Sequence, residues 1–275
     1  MKRRLTLTVS YLILFLCVIL FLGPIVWMVY ISFQPDAVAA KRLGLTMTQT
    51  ASFLTNYQFV STIRPILKIA FNSLIVTVVT VLSTVILGSM TAYAITKLEF
   101  SAKNVILSLI LISVMFPIYI NMVPLFLIVR KLKLINTLFG AMVPHFIYGL
   151  GVFLFRQFYM GFPTDLLDSA RINGYGELRI WAAIVVPLSK SAMSAVSIIT
   201  FFKVYEDAIW PMIVIKNETK MTASQMIVLF QSGTYNMNMG ISAALGVIFT
   251  IPIIILFLVT QKNFITSITM SGMKE

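Results

Sequence analysis

Charged residues are scarce in this chain. Only 11% of its 275 residues are Asp, Glu, Lys or Arg, and the 9 acidic residues face 21 basic ones. A soluble domain carries about a quarter charged residues, so this chain cannot present enough polar surface to water. Because 59% of the residues are hydrophobic and the mean hydropathy is +0.96, we identify the lipid bilayer as its solvent.

Cysteine, histidine and phosphate-binding motifs are also scarce. The single Cys17 excludes an internal disulfide, and the single His145 has no Cys, Asp or Glu at metal-ligand spacing. The sequence contains no G-x-x-x-x-G-K-[ST] stretch and no pattern of a nucleophile with a base. We therefore predict that the chain is not an enzyme, binds no metal or cofactor, and cannot hydrolyse ATP alone.

The net charge of +12 allows two interpretations. Nucleic-acid binding would need a basic domain or a basic patch interleaved with aromatics, and the sequence has neither. The basic residues lie mostly between apolar runs, where they would meet anionic lipid headgroups. We predict a membrane protein without a nucleic-acid partner.

Six apolar stretches reach the ~20 residues that a transmembrane helix needs. They occupy about 9–33, 69–96, 103–130, 133–156, 187–215 and 241–260. The first is too long for a secretory signal, whose apolar region has about 7–15 residues. Helices are expected to kink or end at Pro117, Pro124, Pro144 and Pro252. We predict an all-α membrane protein with six transmembrane helices in a single membrane domain, 1–275.

Basic residues give the topology only a weak bias. With the N-terminus inside, eleven of them lie on the inner side and nine on the outer side. The N-terminal cluster Lys2, Arg3 and Arg4 favours this orientation, because the first helix usually dominates. We expect both termini in the cytoplasm, with residues 36–68 and 216–240 as long outer segments.

A polar island at residues 168–188 separates the fourth and fifth spans. It resembles the EAA loop of binding-protein-dependent ABC importer permeases, E-A-A-x-x-D-G followed by I-x-x-P thirteen residues past the glycine. Matching residues are Ala170, Gly174, Ile184 and Pro187. Asp168, Ser169 and Asn173 stand where the family has Glu, Ala and Asp.

Further similarity points to the second permease of maltose-type carbohydrate importers. The segments that carry it are Phe71-Asn72-Ser73-Leu74, Ala92-Tyr93-Ala94, Pro124-Leu125, Asn136-Thr137, Arg156-Gln157-Phe158-Tyr159 and Pro163. The resemblance implies a type I ABC importer permease fold, whose core would be 69–262. It also implies a cytoplasmic coupling helix between spans 4 and 5.

The local sequence of the loop agrees with that implication. Residues 166–173 can form a short helix with Thr164 as N-cap and with Asp165 and Asp168 in its first turn. Gly174 can end that helix with a positive φ. A second helix is predicted over 177–185, with Pro187 starting the fifth span.

In the family, the loop helix docks in a cleft of the ATP-binding subunit. The resemblance gives Asp168 the role of meeting a basic residue there, and Ser169 and Ala170 are small enough for close approach. The complete predicted coupling set is Asp168, Ser169, Ala170, Arg171, Asn173, Gly174 and Pro187.

Ionisable residues also lie in the fifth apolar stretch. Lys203 is three and four residues from Glu206 and Asp207, so the three can pair on one helix face. They can instead belong to a substrate cavity, because Tyr205-Glu206-Asp207 stands where the family has Trp-Asn-Glu or Trp-Asn-Asp. Asn72 and Asn121 are predicted to hydrogen-bond between helices, with a sugar contact left open.

The resemblance implies a permease subunit that imports an oligosaccharide across the bacterial cytoplasmic membrane. Its partners would be a homologous second permease, two cytoplasmic ATPases that bind ATP and Mg, and an extracytoplasmic solute-binding protein contacted by residues 216–240. One alternative is a non-sugar solute such as a glycerol-phosphate ester. The other is an ion-coupled carrier, in which Lys203, Glu206 and Asp207 would relay protons.

Overall fold

The computed structural model describes residues 2–34, 54–232 and 239–272, and these ranges contain helices and no β-strand. The chain divides into two compact units, which we describe separately. The first comprises Met1–Leu67 and Met226–Ile253, and the second comprises Lys68–Gln225 and Ile254–Glu275. That the chain forms a single domain stays a prediction.

The α-helices of the described ranges are α1 (Lys2–Ser32), α2 (Thr55–Ile63), α3 (Ile66–Lys97), α4 (Lys103–Met115), α5 (Met122–Lys131), α6 (Leu138–Met142), α7 (Gly149–Met160), α8 (Thr164–Ile172), α9 (Glu177–Ile180), α10 (Val186–Leu188), α11 (Lys190–Tyr205), α12 (Ile209–Val214), α13 (Ala223–Gln231) and α14 (Met239–Gly272). Short 3-10 turns cover Ile118–Asn121, Val143–His145 and Glu218–Lys220, and a π-helical turn covers Trp181–Val185.

Three of these helices are long and apolar enough to cross a membrane unbroken, over Leu7–Ser32, Ile66–Lys97 and Met239–Leu258. Three further candidates are pairs of helical segments that meet at a bend. The bends are 101° after α4, 42° before α7 and 83° before α11. With each pair counted as one span, the described residues hold six, in agreement with the sequence prediction.

Proline explains where one of these spans breaks, and a local cap explains why another ends earlier than predicted. Pro117 follows α4, and both Phe116 and Pro117 have extended ψ values of 125°. Proline cannot donate a backbone hydrogen bond and disfavours helix at the preceding residue, so the helix stops there. The predicted continuous helix to residue 215 is wrong. α11 ends at Tyr205, and a new helix starts where Asp207 Oδ1 accepts from the backbone N–H groups of Ile209 and Trp210.

In the first unit, α2 is held against the end of α1 by buried polar contacts. Asn56 donates from Nδ2 to the carbonyl oxygens of Ser32 at 2.9 Å and Gln34 at 2.7 Å. Tyr57 shares a 2.7 Å hydroxyl–hydroxyl bond with Ser32. The two bonds from Asn56 satisfy carbonyls at and just past the end of α1, where no intrahelical partner exists.

In the second unit, one apolar core joins the polar loop to three longer helices. Its buried residues include Tyr93 on α3, Phe155 on α7 and Val196 on α11. Leu167 on α8 and Ile180 on α9 complete it from the loop side, with 1% and 0% of their surface exposed. The loop is therefore part of the packed unit, and its position depends on these helices.

Candidate functional site

The first loop helix, α8, begins slightly earlier than predicted. Pro163 is its N-cap, and Thr164 is already helical, so the prediction of Thr164 as N-cap is wrong. Proline fits this boundary because its fixed φ and missing N–H cost nothing where no helical bond would form. Asp165 lies in the first turn, where the helix dipole favours a carboxylate. Asp168 lies one turn further along.

Gly174 ends this helix as predicted, with a φ of +81°. Its N–H donates to the carbonyl of Arg171 at 2.9 Å, and the N–H of Tyr175 donates to the carbonyl of Ala170 at 3.1 Å. These two bonds form a Schellman motif, which requires a left-handed residue at this position. The sharp turn directs the chain into α9.

The inner face of α8 packs into the chain's own core. Ala170 is buried in the same core as Leu167, so its side chain packs within the chain, and its predicted part in coupling to a partner stays a prediction. Ser169 is exposed, and its hydroxyl donates to the carbonyl of Asp165 at 2.8 Å.

Arg171 connects the two loop helices through charged hydrogen bonds. Its Nη1 donates to Asp168 Oδ1 at 2.6 Å, and its Nε donates to Glu177 Oε1 at 2.8 Å. The hydroxyl of Tyr93, near the end of α3, donates to Glu177 Oε2. The hydrogen bond with Glu177, and to a smaller extent the one with Asp168, raises the pKa of Arg171 above its usual range.

Glu177 and Tyr93 were not singled out as site residues from the sequence. Glu177 is six residues from Arg171, and side chains six residues apart on one helix are not neighbours. The turn at Gly174 brings the two side chains together. The sequence offered one indication of this contact, namely an arginine followed by a glycine that ends the helix and then by an acidic residue.

The outer face of the loop carries Asp168, Ser169 and Asn173 beside exposed apolar side chains. Ile172 is 87% exposed and Leu178 is 67% exposed. Exposed apolar residues with a polar rim mark interaction surfaces. Pro187 is exposed within α10, the last turn before the 83° bend that precedes α11. It therefore lies next to the bend inside the fifth span and does not start that span.

The predicted cavity residues do not form one site. Asn72 is buried and donates to the carbonyl oxygens of Thr219 at 3.0 Å and Met221 at 3.1 Å, so it anchors the chain after α12. Tyr205 is buried and stacks on Phe201 with ring centroids 5.3 Å apart. Asn121 is exposed at the end of a 3-10 turn.

Glu206 and Asp207 do line a pocket of about 370 Å³, together with Ile118, Tyr119, Met122, His145 and Lys203. Among the described residues Lys203 forms no ion pair with either acid, because α11 ends at Tyr205 and the helical spacing no longer applies. Instead, its Nζ lies 5.3 Å from the centre of the Tyr148 ring. Asp207 Oδ2 lies 3.3 Å from His145 Nε2.

The predicted outer segment 216–240 is described over 216–232 and 239–240. Thr222, Ala223 and Gln225 are buried, and the N–H of Ala223 donates to Ser73 Oγ at 2.6 Å. This part is therefore a packed turn and helix, and its exposed residues are Lys216 to Thr219 together with Gln231, Ser232 and Met239. Of the other predicted outer segment, residues 35–53 lie outside the described residues.

A helical chain with six candidate spans and a polar two-helix loop before the fifth defines a membrane transport subunit. The chain belongs to the family of binding-protein-dependent transport system inner membrane components, whose model matches residues 84–269. It is therefore a multi-pass cell-membrane protein of an ABC importer.

Three comparisons place it within the family. The chain is 34% identical over 275 residues to the arabinooligosaccharides transport system permease protein AraQ of Bacillus subtilis (strain 168), which covers 98% of this chain and 96% of that protein. It is 26% identical to the lactose transport system permease protein LacG of Rhizobium radiobacter, over 96% of both chains. A crystal structure of a bacterial ABC transporter that imports alginate contains a chain with the same fold, at a TM-score of 0.79 and 22% identity over 96% of this chain and 98% of that one.

Proposed function

We propose that this chain is a permease subunit of an ATP-driven importer of oligosaccharides. Its relatives AraQ and LacG carry sugar names and match it over nearly its full length. A glycerol-phosphate permease, UgpE of Shigella flexneri serotype 5b (strain 8401), is 28% identical over 73% of this chain. Because the match to UgpE covers less of this chain, the comparisons support a sugar as the solute rather than a phosphate ester.

The attachment of the loop to the spans carries the coupling part of the proposal. The inner face of α8 and α9 lies in one core with α3, α7 and α11, and the Arg171–Glu177–Tyr93 hydrogen bonds fix the loop to α3. The outer face is left for a partner. A displacement applied to that outer face is therefore passed to the spans, because packed cores have low compressibility.

In this proposal the loop faces the cytoplasm and docks on one of two ATPase subunits, which bind ATP and Mg. Both termini lie on the same side as the loop. A homologous second permease completes the pathway, and an extracytoplasmic binding protein delivers the sugar. Asp168, Ser169, Asn173 and the exposed Ile172 contact the ATPase, and closure of the ATPases switches the spans between inward- and outward-facing states.

The 16-residue helix α11 connects the loop to the polar pocket. At ~1.5 Å per residue it is ~24 Å long. The loop precedes its N-terminal end, and the pocket residues Lys203, Glu206 and Asp207 lie at its C-terminal end. Movement of the loop is thus transmitted to the pocket through the rigid helix α11.

The test uses the importer assembled from this chain with its second permease, its ATPase subunits and its binding protein. Reconstituted vesicles should take up arabinotriose or lactose only with ATP inside and with the binding protein, and the purified chain alone should show no ATPase activity. ATP-independent uptake by the isolated chain would favour the ion-coupled carrier. Uptake restricted to sn-glycerol 3-phosphate would contradict the sugar assignment.

A further inference from the structure

The pocket at the C-terminal end of α11 contains a buried side chain whose hydrogen bonding is incomplete. His145 is 7% exposed, and its Nε2 has no hydrogen bond among the described residues. The nearby Asp207 Oδ2, at 3.3 Å, does not have the geometry of a hydrogen bond. A buried polar atom without a partner is costly, so such an atom facing a pocket indicates a missing ligand group.

The surroundings hold these two residues in place. Asp207 uses Oδ1 to accept from the N–H groups of Ile209 at 3.1 Å and Trp210 at 3.2 Å, which leaves Oδ2 on the pocket side. The carbonyl of His145 accepts from Thr84 Oγ1 at 3.2 Å. Asp207 is therefore fixed by its side chain and His145 by its backbone before any solute arrives, as expected of a binding site.

The charges that line the pocket are unbalanced. With His145 counted as neutral, Glu206 and Asp207 supply two carboxylates against one ammonium, that of Lys203, which lies over the Tyr148 ring. A phosphate ester or a uronate entering here would meet like charges at short range in a partly buried site, where repulsion is stronger than in water. The lining therefore selects against anions.

Neutral polyols suit the same groups. A sugar hydroxyl donates to a carboxylate and accepts from an ammonium, and it can bond His145 Nε2 in either sense. Tyr119, which is 64% exposed, together with Ile118 and Met122, offers apolar surface for the carbon face of a pyranose or furanose ring. A volume of about 370 Å³ has room for one or two sugar units.

We propose that the pocket formed by His145, Lys203, Glu206 and Asp207 is a subsite for neutral sugar units and that its negative lining excludes phosphate esters and uronates. The proposal rests on the proposed function, which it deepens by naming the charge class of the solute. It also distinguishes this chain from a permease for glycerol phosphate or for an acidic polysaccharide.

Thiol labelling of the assembled importer tests the charge of the pocket without a transported solute. Cys17→Ser removes the native thiol, and Met122→Cys places a new one on the pocket wall while keeping the Tyr119 ring. We expect the cationic reagent MTSET to react at least about tenfold faster than the anionic MTSES, after correction for their intrinsic rates. Glu206→Gln should reduce that ratio severalfold, whereas Glu99→Gln, which removes an exposed carboxylate outside the pocket, should leave it unchanged.

Protection of the same thiol tests the ligand class. Labelling is measured in nucleotide-free and vanadate-trapped complexes, with arabinotriose, lactose or sn-glycerol 3-phosphate present. At least one neutral sugar should slow labelling in one of the two states, and the phosphate ester should not. Asp207→Asn keeps the Oδ1 acceptor for Ile209 and Trp210 but removes the charge, so it should weaken protection while the complex still assembles.

Several results would overturn the proposal. These are equal rates for the two reagents, no reaction with either, protection by sn-glycerol 3-phosphate, or no protection by either sugar in an importer that transports it. Failure of the proposed function is distinguishable, because it shows as absent ATP-driven uptake of neutral sugars whatever the labelling ratio is.

Discussion

Arg171 and Glu177 lie on opposite sides of the turn at Gly174, and their side chains meet with Nε and Oε1 2.8 Å apart. The contact joins the two loop helices, and Tyr93 extends it to α3. Because Arg171 also bonds Asp168, it links the exposed face of the loop to α3. The conformation of the loop and the position of α3 are coupled through these four side chains.

Glu177→Gln should loosen this connection without unfolding the chain. Hydrogen bonds to charged groups contribute about 1.5–3 kcal/mol, and partial exposure of both side chains reduces this to about 1 kcal/mol. We expect sugar imported per ATP hydrolysed to fall roughly fivefold, while the ATPase still co-purifies. Tyr93→Phe should shift the ratio in the same direction by a smaller amount.

The matched control is Glu99→Gln, which removes a carboxylate whose ion pair, within the described part of the chain, is with Lys103 at 2.8 Å. It should keep the wild-type ratio. If Glu177→Gln and Tyr93→Phe both import sugar with wild-type coupling, the hydrogen bonds do not transmit movement.

Gly174 and Gly176 offer a paired test of backbone conformation. A Cβ added to either glycine would have no atom within 4 Å, but Gly174 has a φ of +81° and Gly176 a φ of −72°. Gly174→Ala should cost about 1–2 kcal/mol because a Cβ penalises the left-handed region. Gly176→Ala should be nearly neutral. Thermal unfolding of the purified complex and sugar uptake measure both, and equal effects of the two substitutions would contradict the conformational explanation.

Asp168→Lys should disturb the exposed face of the loop most. It replaces the 2.6 Å pair with Arg171 by a repulsion. At an interface with the ATPase, a partner charge left unpaired costs about 3–5 kcal/mol. We expect the ATPase to be lost on purification although the chain still inserts in the membrane.

Comparison with Arg171→Gln separates the two possible roles of Asp168. If Asp168 only stabilises its own helix, Arg171→Gln should reduce ATPase retention as much as Asp168→Lys does. If it contacts the ATPase, Asp168→Lys should be clearly worse. Full retention and transport by Asp168→Lys would rule out the loop as the coupling element.

The sequence predicted what depends on composition and local conformation, namely six spans, the break at Pro117 and the positive φ of Gly174. It missed what depends on tertiary packing. Ala170 matches the family pattern but lies in the core. For Asn72 the sequence left a contact with sugar open, whereas the structure shows that it anchors residues 219–221, almost 150 residues away in the chain. Glu206 and Asp207 were singled out, but their proximity to His145 requires the ends of two different spans to meet.

Asn136 provides the last prediction, because it holds the start of the outer segment 216–240. Its Oδ1 accepts from the N–H groups of Lys216 at 3.2 Å and Asn217 at 2.9 Å, and its carbonyl accepts from Lys220 Nζ at 2.9 Å. Its φ is +63°, a region that asparagine tolerates better than most residues. Asn136 therefore fixes the exposed residues that we predict to contact the binding protein.

Asn136→Gly keeps the backbone conformation but removes the side-chain acceptor, whereas Asn136→Asp keeps an acceptor at the same position. Two lost hydrogen bonds at an exposed site cost about 1–2 kcal/mol together. With Asn136→Gly, we expect the loaded binding protein to stimulate the ATPase severalfold less, while basal ATPase activity and assembly stay at wild-type levels. Asn136→Asp should restore most of the stimulation. Wild-type stimulation of Asn136→Gly would mean that the side-chain bonds to residues 216 and 217 do not matter to the binding protein, because the substitution removes both of them and keeps the carbonyl contact with Lys220.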